Sequence, residues 1–474
     1  MLTCNGTNRP TSNDGERRRQ PPLVEEMTVP TKLTARLFAL PFPAQRATWA
    51  STLSGATAKK GIWAMGDQAV VSGTNFLCTI LVGRWCGMSE LGLYSMAFGA
   101  LVLLSACQQS LILSPYAVLS NRRFGRCKER YAGSVLIQQG VFTALAMLVF
   151  GGIALVTSYV ASLASLAPVF LMIAGVVPFI SIREFIRRIL LAELKVRATL
   201  VLDLSVAALQ IAGILALGTA NLLSATSAFA VAAVACGLVS IVWFSLTTMS
   251  FTVRWRLVRK TIGRNWRFGR WICASQLTDV VQTYSLHWIV AILLGVSATG
   301  VYAAYASIVM IFNPFILAVG GILLPRAAQV HHAGGVKELR RIVGAATLLI
   351  AVVLAVMCAP LAIYGDRLVH QIFDLGSVAP MQYLMILLLA TGFVGTLSFA
   401  TDSGLCVMER PELNFIAGLI GLIVACVLVP LSAYWWRIEG AALAAFIAVA
   451  LASAVQVIGF LRVSRSGNQP ESRA

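Results

Sequence analysis

The sequence predicts an all-α polytopic membrane protein of about twelve transmembrane helices, arranged as two parallel-repeat six-helix lobes around a central cavity. Three observations predict it. The chain carries about a dozen apolar stretches long enough to cross a bilayer, its basic residues fall in every second gap between them, and its second half repeats the first.

The stretches follow one another with short connections. They run from Ile62 to Trp85, Leu91 to Pro115, Ala132 to Val156, Ser165 to Ser181, Ala198 to Leu217 and Ala225 to Thr247. The second half continues with Trp271 to Leu294, Val301 to Leu324, Ile342 to Tyr364, Met381 to Thr401, Phe415 to Tyr434 and Ala441 to Leu461. About 20 apolar residues are needed to span hydrocarbon, and these stretches meet that length. Ser114-Pro115 and Asn313-Pro314 are expected to kink the second and eighth spans, because proline removes a backbone hydrogen bond.

Of the 37 Lys and Arg residues, all but Arg84, Arg367 and Arg437 lie before the first span, in alternate gaps, or after the last span. Short loops rich in Lys and Arg stay cytoplasmic, so both termini are expected inside, in a multi-pass inner-membrane topology. The formal charge of +18 is therefore a topology signal, accompanied by 58% hydrophobic and 12% charged residues. A nucleic-acid partner would need one clustered basic surface, whereas this charge is divided among many short loops. Anionic inner-leaflet lipids are a physically reasonable partner for the segment Arg254 to Arg270.

The expected organisation is a polar, disordered cytoplasmic extension over residues 1–60, an N-terminal six-helix lobe over 61–250 and a basic inter-lobe loop over 251–269. A C-terminal six-helix lobe over 270–462 and a tail over 463–474 complete it. The extension has no apolar core of signal-peptide length, and Met27 is an alternative start. Ten scattered cysteines include no CxxC, so neither a disulfide framework nor a zinc site is expected. The chain carries no Walker A stretch, dinucleotide fingerprint or HExxH, and its longest outward gap is Gly365 to Pro380, too short for a catalytic domain. These features point away from an enzyme and from any cofactor other than a coupling proton or sodium ion.

Sliding the chain by 208 residues aligns the first span with the seventh without a gap. Trp63 meets Trp271, Gln68 meets Gln276, and Gly87-x-Ser89-x-x-Gly92-x-Tyr94 meets Gly295-x-Ser297-x-x-Gly300-x-Tyr302. Six spans per half give both halves the same orientation, with a path between them, as in transporters built from parallel repeats. The register exposes polar stripes at i, i+4, i+7 and i+11: Gln68, Ser72, Asn75 and Thr79 in the first span, and Gln276, Val280, Thr283 and His287 in the seventh. Polar groups inside a membrane cost several kcal/mol if left unpaired, so the stripes either face a wet cavity or join helices by hydrogen bonds. Their recurrence in equivalent spans favours the cavity.

Among ionisable groups, Asp279 lies about 12 Å along its helix from Trp271 and is a candidate coupling-ion site. Asp67 is a second candidate, although its place near the cytoplasmic end, like that of Asp203, also suits pairing with loop arginines. Arg84 beside the repeated glycine turn is a candidate phosphate contact. Gln108, Gln109, Gln138, Gln139 and Gln210 extend the polar inventory of the first half.

The run Asp67-Gln68, Ser72-Gly73-Thr74-Asn75-Phe76, Leu81-Val82-Gly83-Arg84-Trp85 and Glu90-Leu91-Gly92-Leu93-Tyr94 resembles the opening of bacterial polysaccharide-transporter proteins. The stretch Arg183-Glu184-Phe185-Ile186-Arg187-Arg188 followed by Asp203 extends the resemblance, which covers most of Gly61 to Leu461. These proteins belong to the multidrug, oligosaccharidyl-lipid and polysaccharide exporter superfamily. The resemblance implies two lobes around a V-shaped cavity and alternating access, with a lipid-pyrophosphate-linked oligosaccharide released outward for surface polysaccharide, lipopolysaccharide or exopolysaccharide assembly. It implies Arg84 as phosphate contact, with Arg122 and Arg326 adding charge at the inner mouth. Gln68, Asn75, Thr79, Gln276, Thr283 and His287 become cavity contacts, although His287 equally suits a satisfied interior position, and Asp279 becomes the coupling site. The partners it implies are the lipid-linked oligosaccharide, membrane lipids, a polysaccharide polymerase and a chain-length regulator. The rival readings are a cation-coupled drug exporter of the same fold and a non-transporting partner in a synthesis complex.

Overall fold

A computed structural model of the protein describes residues 56–123, 128–160, 166–246, 252–253, 255–376 and 379–466. The expected extension over residues 1–60 lies almost wholly outside this set, and the packing described below lies within Trp63–Ala474. The described residues form helices α1 (Ala56–Gln108), a π-helical segment (Gln109–Leu113), α2 (Ser114–Arg123), α3 (Lys128–Tyr159), α4 (Ala167–Ala192), α5 (Val196–Thr219) and α6 (Ala225–Leu246). They continue with α7 (Trp255–Leu294), α8 (Val296–Val309), a 3-10 turn (Met310–Phe312), α9 (Asn313–Phe373), α10 (Gln382–Val407) and α11 (Pro411–Ser466).

Nine helices among the described residues are long and apolar enough to cross a membrane. Two of those stretches, Trp63–Ser120 and Pro411–Arg465, are broken by non-helical residues at Gly87 and at Trp436 and Arg437, so each holds two passes. The short apolar helix Val296–Phe312, continued by α9 as far as the break at Gly335, adds one more, which accords with the expected dozen.

Gly87 (φ 82°, ψ 177°) and Gly295 (φ 93°, ψ 165°) sit 208 residues apart in the same unusual conformation. That region of backbone space is open to glycine and closed to L side chains, so the repeated motif encodes the same reversal twice. At the first of them Glu90 Oε2 accepts a hydrogen bond from the Ala225 amide at 2.7 Å, which fastens the turn to the N-terminus of α6. Tyr94 stacks on Phe229 with ring centroids 4.7 Å apart.

In the first half α3 packs on α4, and α6 on both α4 and α5; in the second, α9 packs on α10, and α10 and α7 on α11. The α3/α4 pair recurs as α9/α10. Both expected proline kinks coincide with a break in regular helix. The π-helical segment ends just before Ser114-Pro115, and the 3-10 turn ends just before Asn313-Pro314. Widening or tightening the turn ahead of the proline absorbs the lost i to i−4 bond.

Two boundaries differ from the sequence reading. Residues 255–269, expected as a loop, are the opening turns of α7, a helix of 40 residues. The expected tail begins inside α11, which continues to Ser466.

Candidate functional site

Asn75 is exposed, and Gln68, Ser72 and Thr79 are half-buried. Gln68 donates to Ser72 Oγ at 3.3 Å and Thr79 to the Asn75 carbonyl at 2.9 Å, so both bond within their own helix. On α7, Gln276, Asp279 and Thr283 are exposed, and Thr283 donates to the Asp279 carbonyl at 2.9 Å. His287 departs from the stripe. It is buried between the rings of Tyr284 and Tyr302, at 5.6 and 5.0 Å, because the last turns of α7 close against α8.

That closure joins the two halves. A Cβ placed on Gly92 would overlap the Val296 carbonyl oxygen, and one on Gly300 would overlap the Met88 carbonyl oxygen. Met88 and Val296 are themselves 208 residues apart, so the contact is its own image under the repeat. Phe373 adds a second seal, since a Cβ on Gly83 would lie 2.5 Å from its ring. Further along, Gly99 abuts Tyr284, and Gly269 abuts the backbone at Ser110 and Leu111, so the second pass and α7 touch along their length.

The first half holds a buried ionic cluster at its basic end. Arg187 bonds Asp67 of α1 and Asp203 of α5, each at 2.7 Å; Arg183 bonds Asp203 and, at 2.5 Å, Glu184. The Asp203 side chain is fully buried, and Asp67 Oδ1 has no hydrogen-bond partner among the described residues. Three carboxylates thus share two guanidiniums and tie the first pass to α4 and α5. Asp67, a coupling-ion candidate in the sequence, is placed here as an ion-pair partner.

The second half holds acids without arginines. Asp279 lies within electrostatic range of Asp402 on α10, and neither takes part in an ion pair among the described residues. Asn414 donates to the Asp402 carbonyl at 3.3 Å, and Gln456 donates to Asn414 Oδ1 at 3.1 Å. A Cβ on Gly418 would stand 3.5 Å from Asp279 Oδ1, so the carboxylate lies against α11. Sequence reasoning missed Asp402, although an acid alone in an apolar span was the signal that selected Asp279.

The glutamines of the first half serve assembly. Gln108 donates to Gln139 Oε1 and to the Ser181 carbonyl, at 3.1 and 2.9 Å, and Gln109 accepts from Arg188 at 2.5 Å. Gln138 donates to Thr261 Oγ1 and accepts from Asn265, both at 2.9 Å, and Gln210 donates to Cys78. Ser134 and Tyr131 complete the α3/α7 seam through Thr261 and Asn265, at 2.7 and 3.1 Å. Burial leaves no unpaired polar atom cheap, so these amides act as joints between helices.

Arg84 is exposed three residues before the Gly87 turn, with no ion pair among the described residues, and therefore at the opposite end from the Asp67 cluster. Arg122 falls in the last turns of α2, and Arg326 is exposed on α9. Two grooves of about 390 and 350 Å³ lie elsewhere, one lined by Gln139, Thr143, Met147 and Pro178, the other by Ala355, Cys358, Ile386 and Phe393. They fall at equivalent places in the α3/α4 and α9/α10 pairs, away from the stripes.

Comparison with known proteins places this geometry. The family described as "Polysaccharide biosynthesis protein" matches residues 126–374. Among solved structures, the inward-facing conformation of a multidrug resistance MATE family transporter of the MOP superfamily matches with a TM-score of 0.71 and 14% identity, over 85% of this chain and 96% of that one. The outward-facing conformation of a multidrug resistance MATE family transporter matches with a TM-score of 0.61 and 13% identity, over 86% and 95%. A MOP superfamily transporter from Pyrococcus furiosus, described as having a binding pocket of reverse polarity, matches at 0.60 and 12%, over 86% and 95%. No curated protein sequence matches.

Proposed function

Because this chain belongs to the polysaccharide biosynthesis protein family and has the fold of MOP-superfamily transporters, we propose that it flips a polyprenyl-pyrophosphate-linked oligosaccharide across the inner membrane by alternating access. The observation that carries the proposal is the pair of polar stripes on equivalent passes, Gln68, Asn75 and Thr79 on the first and Gln276 and Thr283 on the seventh. Neutral amides and hydroxyls at exposed and half-buried positions suit sugar hydroxyls, and the polyprenyl tail stays in lipid. With the basic end in the cytoplasm, contact of the two glycine turns closes the outer side, and the loading state is inward-facing.

Arg84 stands at that closed end as the phosphate contact of a later, outward stage. Asp279 and Asp402 supply the coupling site. Two carboxylates near one another in a membrane, without a basic partner, suit a proton or a monovalent cation. The ionic cluster at Asp67 has its own arginines and serves to hold the first pass.

Deleting the gene tests the proposal. Lipid-linked oligosaccharide accumulates on the cytoplasmic leaflet and wild type clears it; no accumulation overturns the flippase. A second reading, a cation-coupled drug exporter, is favoured by the Asp279/Asp402 pair, and it predicts altered sensitivity to cationic dyes with no accumulation.

A further inference from the structure

The opening turns of α7 divide by face. Val258, Thr261, Asn265 and Gly269, spaced i, i+3, i+7 and i+11, are buried. They dock through the seam to Tyr131, Ser134 and Gln138 on α3, and through Gly269 against Ser110. The outer surface carries Arg256, Arg259, Lys260, Arg267 and Arg270, all exposed. No Asp or Glu occurs between Phe251 and Thr278. None of these five cations is in an ion pair among the described residues. The arginines of α4 differ: Arg183 and Arg187 bind carboxylates, and Arg188 binds Gln109.

The same surface exposes Trp255, Ile262, Trp266 and Trp271, and the Arg270 guanidinium lies 5.6 Å over the Trp271 ring. A 40-residue helix is about 60 Å long, roughly twice the hydrocarbon thickness, so its first half falls at headgroup level and beyond. Tryptophans mixed with cations are the composition of a membrane interface, where indole rings sit at headgroup depth and cations meet phosphates. A soluble polyanion matches the charge and leaves the exposed indoles unexplained.

We propose that residues 255–271 form a binding surface for anionic phospholipid headgroups of the adjoining leaflet, carried by the helix that also bears Gln276 and Asp279. Because the surface is docked on α3 and continuous with the half of α7 that bears Gln276 and Thr283, lipid bound there stabilises the docked arrangement. The attraction is electrostatic and weakens as salt shortens its range.

The test uses the purified full chain in neutral detergent, titrated with phosphatidylglycerol or phosphatidylcholine while thermal unfolding is followed. Wild type gains melting temperature with phosphatidylglycerol only, and the gain shrinks at high salt. In R256Q/R259Q/K260Q/R267Q the half-saturating phosphatidylglycerol rises at least about tenfold, each surface cation being a substantial fraction of the attraction. The milder R259Q/K260Q gives an intermediate rise, which keeps the test informative if the fourfold variant misfolds. K337Q/R340Q, at another basic connection, keeps the full response. An unchanged response in the α7 variants overturns the proposal, as does equal loss in K337Q/R340Q. Loss of heparin binding with lipid response intact assigns the surface to a soluble polyanion instead. None of these readings depends on transport, so the flippase assignment stands or falls separately.

Discussion

Gly300 abuts the carbonyl oxygen of Met88 so closely that no Cβ fits between them, and Gly92 stands in the same relation to Val296. The two contacts exchange under the 208-residue repeat, so the pseudo-twofold axis passes between the turns at Gly87 and Gly295. Glycine is required twice over, at 87 and 295 for positive φ and at 92 and 300 for close approach.

The first prediction is that Gly300→Ala forces the two turns apart. Overpacking at this contact destabilises the closed arrangement by about 1–3 kcal/mol. Thermal unfolding in detergent reads the loss, and labelling of a cysteine introduced near Gly87 rises. Gly92→Ala has the same sign, and the double variant falls short of the sum because both act on one interface. Unchanged labelling in either variant contradicts the contact.

Asp402→Asn is expected to abolish ion-dependent transport as fully as Asp279→Asn, with little loss of folded protein, since neither acid has an ionic partner to strand. The measurement is transport against a proton or sodium gradient in each variant. Activity retained in Asp402→Asn with Asp279→Asn inactive removes Asp402 from the site.

Removing Arg187 strands the buried Asp67 carboxylate and leaves Asp203 with Arg183 alone. Arg187→Met is therefore expected to cost about 3–5 kcal/mol, the range for breaking a buried ion pair from one side. Asp67→Asn keeps a hydrogen-bonding amide opposite the guanidinium and costs less. Relative yields of folded protein and thermal unfolding rank the two, and the reverse ranking contradicts the cluster.

Cys107 on the second pass and Cys273 on α7 lie within hydrogen-bonding reach of one another. In a chain whose other cysteines are replaced, mild oxidation is expected to link them, read as a mobility shift between the halves after cleavage in the connection following α6. Failure to link contradicts the lengthwise contact of these two passes.

Much of the fold was legible in the sequence because a bilayer forces it to be. Each pass must be long and apolar, and the arginines must alternate, so the passes and their pairing into halves could be read directly. The glycine turns were legible because Gly87 and Gly295 repeat with their spacing. What was missed follows from reading charge before period. Residues 255–269 carry so many arginines that they read as a loop, although Val258, Thr261, Asn265 and Gly269 hold a helical stripe. Asp402 on α10 lies outside the stretch that the 208-residue slide aligns without a gap, so the repeat could not reveal it. The glutamines Gln108, Gln138 and Gln139 have the composition of a sugar site, and only the three-dimensional arrangement identifies them as joints. His287 keeps the register of the stripe and loses its exposure to the ring of Tyr302, a contact across a turn that spacing alone does not encode.

The most direct measurement is leaflet exchange of a fluorescent polyprenyl-pyrophosphate oligosaccharide in proteoliposomes, followed by a membrane-impermeant quencher. Wild type is predicted to exchange it faster than protein-free vesicles, with Arg84→Ala and Asp279→Asn both slower. Exchange no faster than in protein-free vesicles, alongside gradient-driven movement of a cationic dye by the same protein, would contradict the account.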